Sequence, residues 1–115
     1  MTDNIYWTIV ATIKDGQLEK LKSAIEPMVA ATRTEKGAMS YDFWLSDDST
    51  KVYVFERYQN NDAVLAHMGN VGDLLGAFFE CVDLEPIVIL GNSSQALKDA
   101  FAAFGASHVT ALNSL

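Results

Sequence analysis

Apolar and polar side chains alternate near the start of the chain. Over residues 5–14, Ile5, Trp7, Ile9, Ala11 and Ile13 share one face, and Tyr6, Thr8, Val10 and Thr12 share the other. That two-residue period predicts a strand, and Asp15 with Gly16 ends it as a turn. From Leu18 the period lengthens to that of a helix. Leu18, Leu21, Ile25, Met28, Val29 and Thr32 form one stripe, with Glu19, Lys20, Lys22 and Glu26 outside it. Pro27 falls inside this stretch and is expected to bend the helix or free a carbonyl. Gly37 is expected to close the helix as a C-cap.

Two further alternating runs follow. Met39, Tyr41, Phe43 and Leu45 interleave with Ser40, Asp42 and Trp44, and residues 46–49 have the composition of a hairpin turn. Residues 51–59 are rich in β-branched and aromatic side chains, as a strand requires. Asn60, Asn61 and Asp62 are N-cap candidates for a helix that begins near Ala63. Gly69, Gly72 and Gly76 predict a break near Asn70 and a second helical piece over residues 73–80. Residues 85–90 read as a fourth strand. Ser93 or Ser94 then caps a last helix with Leu97, Ala100, Phe101 and Phe104 on one side. Gly105 stops that helix, and the tail beyond it is an edge strand or frayed.

The order strand–helix–strand–strand–helix–strand predicts an α+β fold of the ferredoxin-like βαββαβ type, an antiparallel sheet with helices on one face and one extra C-terminal helix. A chain of 115 residues is expected to form a single domain, with its core over about residues 5–90 and an extension over 91–115. In the third strand, Val52, Val54 and Tyr58 share a face with Glu56, and Tyr53 and Phe55 share the opposite one with Arg57. The first strand is likewise apolar on both sides. A sheet face left open with so many apolar residues marks an interface. The expected partner is a second copy of the chain, a homodimer formed through the open face.

Composition narrows the classes. Fifteen acidic side chains against eight basic ones give a net charge of −7, and half of the residues are hydrophobic. The chain is too apolar for disorder. It lacks the clustered Lys and Arg that nucleic acid or an anionic membrane would need. No apolar run reaches the ~20 residues that span a bilayer, and the N-terminus has no basic-then-apolar leader pattern. Cys81 stands alone, which fits a reducing compartment, so a cytoplasmic location is expected.

Candidate chemistry is sparse. There is no phosphate-binding glycine loop and no nucleophile elbow, and neither His67 nor His108 has metal-ligand spacing around it, so no metal or nucleotide cofactor is expected. Cys81, beside Glu80 and Asp83, reads as a small buried hydrophobe, and His108 falls in the weak tail. Glu56 is different, because a carboxylate within an apolar strand is costly if it is buried alone. It lies roughly 7 Å back from the strand's end at ~3.3 Å per residue, and His67 lies roughly 7.5 Å along the returning helix at 1.5 Å per residue. The two therefore reach the same height, and a carboxylate that orients an imidazole suits a general base near neutral pH. A surface-directed Glu56 and a solvated His67 are the bland alternatives. Tyr6, Trp7, Tyr41, Phe43, Trp44, Tyr53, Phe55 and Tyr58 crowd the first three strands, as core or as the lining of a pocket for a planar molecule.

Two stretches resemble a known family. Residues 34–41, Thr-Glu-Lys-Gly-Ala-Met-Ser-Tyr, resemble the T-x-x-E-x-G-x-x-x-Y stretch before the second strand of the antibiotic biosynthesis monooxygenase domain. Residues 54–58, Val-Phe-Glu-Arg-Tyr, followed by Ala63 and His67, resemble its F-x-E-x-[WY]…A-x-x-x-H signature. The resemblance spans about residues 5–90 and implies a dimeric α+β barrel with a pocket between sheet and helices in each protomer. It implies quinol and anthrone monooxygenation without metal, flavin or nicotinamide, on a small aromatic substrate with O2. His67 oriented by Glu56 would be the catalytic base, and Tyr41, Trp44 and Tyr58 would position the substrate ring. The same resemblance admits a non-catalytic dimer that binds a small ligand or serves a stress response. It fits haem-degrading relatives poorly: Asn4 and Trp7 are present, but the second helix has no Trp. The net negative charge favours a neutral aromatic that becomes an anion only inside the pocket.

Overall fold

The computed structural model describes residues 2–115. Strands β1 (Ile5–Ile13), β2 (Ala38–Leu45), β3 (Lys51–Tyr58), β4 (Val82–Leu84), β5 (Val88–Leu90) and β6 (Ser107–Val109) form one sheet, in the order β2-β3-β1-β5-β6 with β4 also beside β1. Helices α1 (Leu18–Thr32), α2 (Asn61–Val71), α3 (Leu75–Phe79) and α4 (Gln95–Phe101) complete the fold. The fold class is the α+β, ferredoxin-like one expected from the sequence.

β1 is the spine. It pairs antiparallel with β3 from Ile5↔Tyr58 to Thr12↔Lys51, and with β4 and β5 along its other edge. Its inward residues Ile5, Trp7, Ala11 and Ile13 are buried, as are Val52, Val54, Glu56 and Tyr58 of β3. The alternation read from the sequence therefore maps onto the helix-covered face. Each large apolar side chain so buried stabilises the fold by about 1.5–3 kcal/mol. The core falls into two clusters. One joins α1, α3 and β4 through Leu21, Met28, Phe78 and Val82; the other joins α2, β5 and α4 through Val64, Ile89, Leu97 and Phe101. β1 and β3 contribute to both.

Three local expectations are revised and one, at Pro27, is met. The strand expected over 85–90 is confined to β5, with β4 as a separate short strand before it, because Pro86 between them has no N–H to donate to the ladder. The preceding Glu85 N–H still reaches the Val10 carbonyl at 2.9 Å. α2 runs through Asn70 to Val71, and the break comes as a 3-10 turn, Gly72–Leu74, before α3. α1 continues through Pro27 on its exposed side, and the Ser23 carbonyl it frees, as expected, is left to water. Finally, α1 ends at Thr32, so Gly37 is not its cap. Gly37 is needed for a close approach instead, since a Cβ there would fall 2.5 Å from the Ala63 Cβ. That contact sets the start of β2 directly against the first turn of α2.

The helix ends follow simple chemistry. Asn60 accepts a hydrogen bond from the Ala63 N–H and caps α2, and Ser94 accepts one from Leu97 and caps α4. α4 passes into a 3-10 turn, Ala102–Phe104, that Gly105 ends in the left-handed region at φ 64°. β6 then pairs parallel with β5 as the edge strand. The sheet's other face carries Tyr6, Trp44, Tyr53 and Phe55, each at least 36% exposed. The register sets Trp44, Tyr53 and Val10 in one row and Asp42, Phe55 and Thr8 in the next. No described helix is long and apolar enough to cross a membrane.

Candidate active site

Between the two core clusters, above the middle of β1, lies a cavity of about 40 Å³. Its walls are apolar except at one end, where Glu56, His67 and Tyr41 meet. Glu56 comes from the inward face of β3 and His67 from the buried side of α2; they are 4% and 2% exposed. The length argument thus places them together, with His67 Nε2 3.5 Å from Glu56 Oε1.

The tighter partners are others. The Tyr58 hydroxyl donates to Glu56 Oε1 at 2.6 Å, and the Trp7 indole N–H donates to Oε2 at 3.0 Å. His67 Nδ1 lies 3.1 Å from both oxygens of Glu35, a residue the sequence reading gave no role. Asn70 secures Glu35 in turn: its amide donates to Glu35 Oε2 at 2.8 Å and to the Ala31 carbonyl at 2.9 Å. A carboxylate at Nδ1 selects the tautomer with hydrogen on that nitrogen, leaving an Nε2 lone pair on the Glu56 side. The two carboxylates flank opposite nitrogens of one ring, so they hold the ring rather than converge on an ion. No group of three or more His, Cys, Asp or Glu among the described residues is arranged to bind a metal.

Burial dominates the proton affinities. It pushes Glu56 up to about 7, against the hydrogen bonds from Tyr58 and Trp7 and aided by the nearby Glu35 charge. Burial lowers His67, opposed by Glu35. It also raises Tyr41, with Glu56 and Glu35 adding to the effect, so that phenol stays neutral. Burial thus favours the neutral form of both groups, a carboxyl that holds its proton up to about 7 beside an imidazole that resists taking one.

The remaining site expectations divide. Tyr41 lines the cavity, its ring 4.9 Å from that of His67 and its hydroxyl only weakly engaged with Met28 Sδ at 3.8 Å. Tyr58 does not reach the cavity; fully buried, it packs 5.3 Å from Trp7 and 4.9 Å from His67 and anchors Glu56. Trp44 is 62% exposed on the open sheet face, since strand alternation turns it away from Tyr41 and Phe43. Neither can touch a molecule in this cavity. His108 bonds to Ser93 at 2.8 Å and Cys81 is buried under α3, both outside the cavity lining.

Comparison with known proteins agrees with this architecture. The family model described as antibiotic biosynthesis monooxygenase matches residues 5–73, more than half of the chain. Rv0793 of Mycobacterium tuberculosis, provisionally named a monooxygenase, is 36% identical over 50 residues, which is 44% of this chain and 50% of that protein. The match thus spans half the length of that curated relative. Among solved structures, MupZ from Pseudomonas fluorescens superposes with a TM-score of 0.88 at 18% identity, covering 100% of this chain and 90% of that one. SnoaB from Streptomyces nogalater, described as a cofactor-independent oxygenase, gives 0.67 at 12% identity over 82% of this chain and 97% of its own.

Proposed function

The chain belongs to the antibiotic biosynthesis monooxygenase family, and on that premise we propose that it is a cofactor-independent oxygenase acting on an electron-rich phenol such as a quinol or an anthrone. The observation that carries this reading is the buried Glu35–His67–Glu56 cluster at the polar end of an apolar cavity. His67 is the base. Its Nε2 lone pair takes the phenolic proton, while Glu35 holds the Nδ1 hydrogen and stabilises the imidazolium that forms. The Tyr41 hydroxyl, which burial keeps protonated, donates to the substrate oxyanion.

The desolvated anion then passes one electron to O2. Recombination of the two radicals gives a peroxide anion on a ring carbon, which takes the imidazolium proton; the regenerated His67 then removes the hydrogen on that carbon, and the O–O bond breaks as the carbonyl forms. One oxygen atom stays in the product. The other departs as hydroxide and becomes water by taking that proton back from the imidazolium, which returns His67 to its starting state.

The open sheet face supports a second part of the proposal, a homodimer in which Trp44, Tyr53 and Phe55 are covered by another copy. A non-catalytic reading has one observation in its favour: both oxygens of Glu56 already accept hydrogen bonds, from Tyr58 and Trp7. Oxygen consumption with a panel of hydroquinones and anthrones separates the two readings. The wild type should consume O2, and His67→Ala and Glu56→Gln should be strongly impaired. Equal rates in all three proteins would sink the catalytic assignment, and saturable binding without oxygen uptake would select the ligand-binding one.

A further inference from the structure

The cavity is too small for the substrate class proposed for it. Its 40 Å³ holds a few water molecules, whereas a cavity of ~150 Å³ is what accommodates benzene. Part of the wall must give way by about a ring. Most of the wall cannot: Trp7, Met28, Val54, Phe78, Ile87 and Phe101 are each 4% exposed or less and belong to the two packed cores. The exceptions near the helices include Phe79 and Phe104, which are only half-buried.

These two rings meet at 5.5 Å and join the margins of the two core clusters. Phe79 ends the five-residue helix α3, and Phe104 ends the 3-10 turn that Gly105 terminates in the left-handed region. Phe79 also packs on Phe78 at 5.7 Å, and Phe104 packs on Phe101 at 5.9 Å. The four rings form an arc, closed onto Trp7 by the edge contact of Phe101 at 5.2 Å. All four lie beyond residues 5–73, the part that matches the family. MupZ covers this region, superposing over 100% of the chain, whereas Rv0793 covers 81% and SnoaB 82%.

We infer that Phe104, leaning on Phe79, is the gate that sets which molecules reach His67. The admitted class is a flat, fused-ring hydrocarbon with a single hydroxyl. The rings around the arc offer edges and faces to such a plane, and Glu56, His67 and Tyr41 supply hydrogen bonds at one end only. The inference rests on the proposed function for the identity of the site, but binding tests it without turnover.

The chain has two tryptophans. In a Trp44→Phe background, quenching of Trp7 by 1-naphthol under anaerobic conditions reports entry directly. Stopped-flow association should speed up about tenfold in Phe104→Ala, because entry that waits on a conformational change limits the on-rate. 1-Hydroxypyrene, excluded by Phe104, should bind the alanine variant. Phe104→Leu, which keeps most of the volume, should fall between wild type and alanine, and it preserves the test if the alanine variant does not fold. Equal association rates in every variant, or no binding of 1-naphthol by any, would overturn the inference. Gated binding without oxygen uptake from the fused-ring anthrones of the panel would instead sink the oxygenase reading and leave the gate standing.

Discussion

Glu56→Gln gives a quantitative test of the buried cluster. The carboxyl titrates at about 7 in the fold against an ordinary value of 4.5, with burial as the chief cause. Between those values the unfolded chain has released its proton and the folded chain still holds it. Wild-type stability should therefore fall by about 1.4 kcal/mol per pH unit through this window, and by about 3 kcal/mol in all. His67 acts in the opposite sense, since burial lowers it below its ordinary 6.5 and stability recovers as pH rises towards that value. Both proteins retain His67, so their difference isolates Glu56. The glutamine amide can still accept from Trp7 and can donate to the Tyr58 oxygen, so its fixed cost is about one hydrogen bond, ~1 kcal/mol. Urea unfolding followed by circular dichroism from pH 5 to pH 8, at one protein concentration, should show the variant gaining about 2–3 kcal/mol relative to wild type across that range. Parallel stability curves would refute a proton held at Glu56.

Three further outcomes are expected. Glu35→Gln should lower the His67 pKa further, because Glu35 raises it. It should also mix the ring tautomers in the imidazole 15N spectrum and cost about 1–3 kcal/mol of stability; an unchanged spectrum would count against Glu35 as the residue that orients the ring. Gly37→Ala should destabilise by about 1–3 kcal/mol through overpacking on Ala63, and adding Ala63→Gly should restore much of the loss in a double-mutant cycle, so simple additivity would count against the contact. Tyr53→Glu with Trp44→Glu should shift the protein from a dimer to a 12.6 kDa species in light scattering after gel filtration, and a wild type already at that mass would refute the dimer.

Legibility in the sequence followed the range of the interactions. The periods of β1, α1 and β3 are local, and they set the layers; the face taken by Glu56 stayed open, because β3 carries apolar residues on both sides. The height match between Glu56 and His67 was also readable, because a strand and the helix that follows it are joined by a tight turn. Glu35 was not, since 32 residues separate it from His67 and only the packing of the α1 end against α2 brings them together. Trp44 is a different case. Its alternation with Tyr41 and Phe43 already put it on the far face, and aromatic character alone had grouped it with the pocket. Tyr58 lies on the correct face, but its hydroxyl is taken by the carboxylate two residues earlier. Pro86 announced the split between β4 and β5, and the apolar residues around it masked the signal.

The two core clusters have a consequence for the motions of the molecule. α1 and α3 pack in one and α2 and α4 in the other, and the strands β1, β3 and, at its margin, β2 thread both. Such a molecule has two half-cores on a shared spine, each small enough to open sub-globally on its own. Amide hydrogens at the seam should then exchange through partial opening rather than complete unfolding, with a different free energy on each side. A ligand seated in the cavity touches both halves. Its clearest signature would be the merging of two exchange classes into one, a gain in cooperativity that a static list of contacts does not contain.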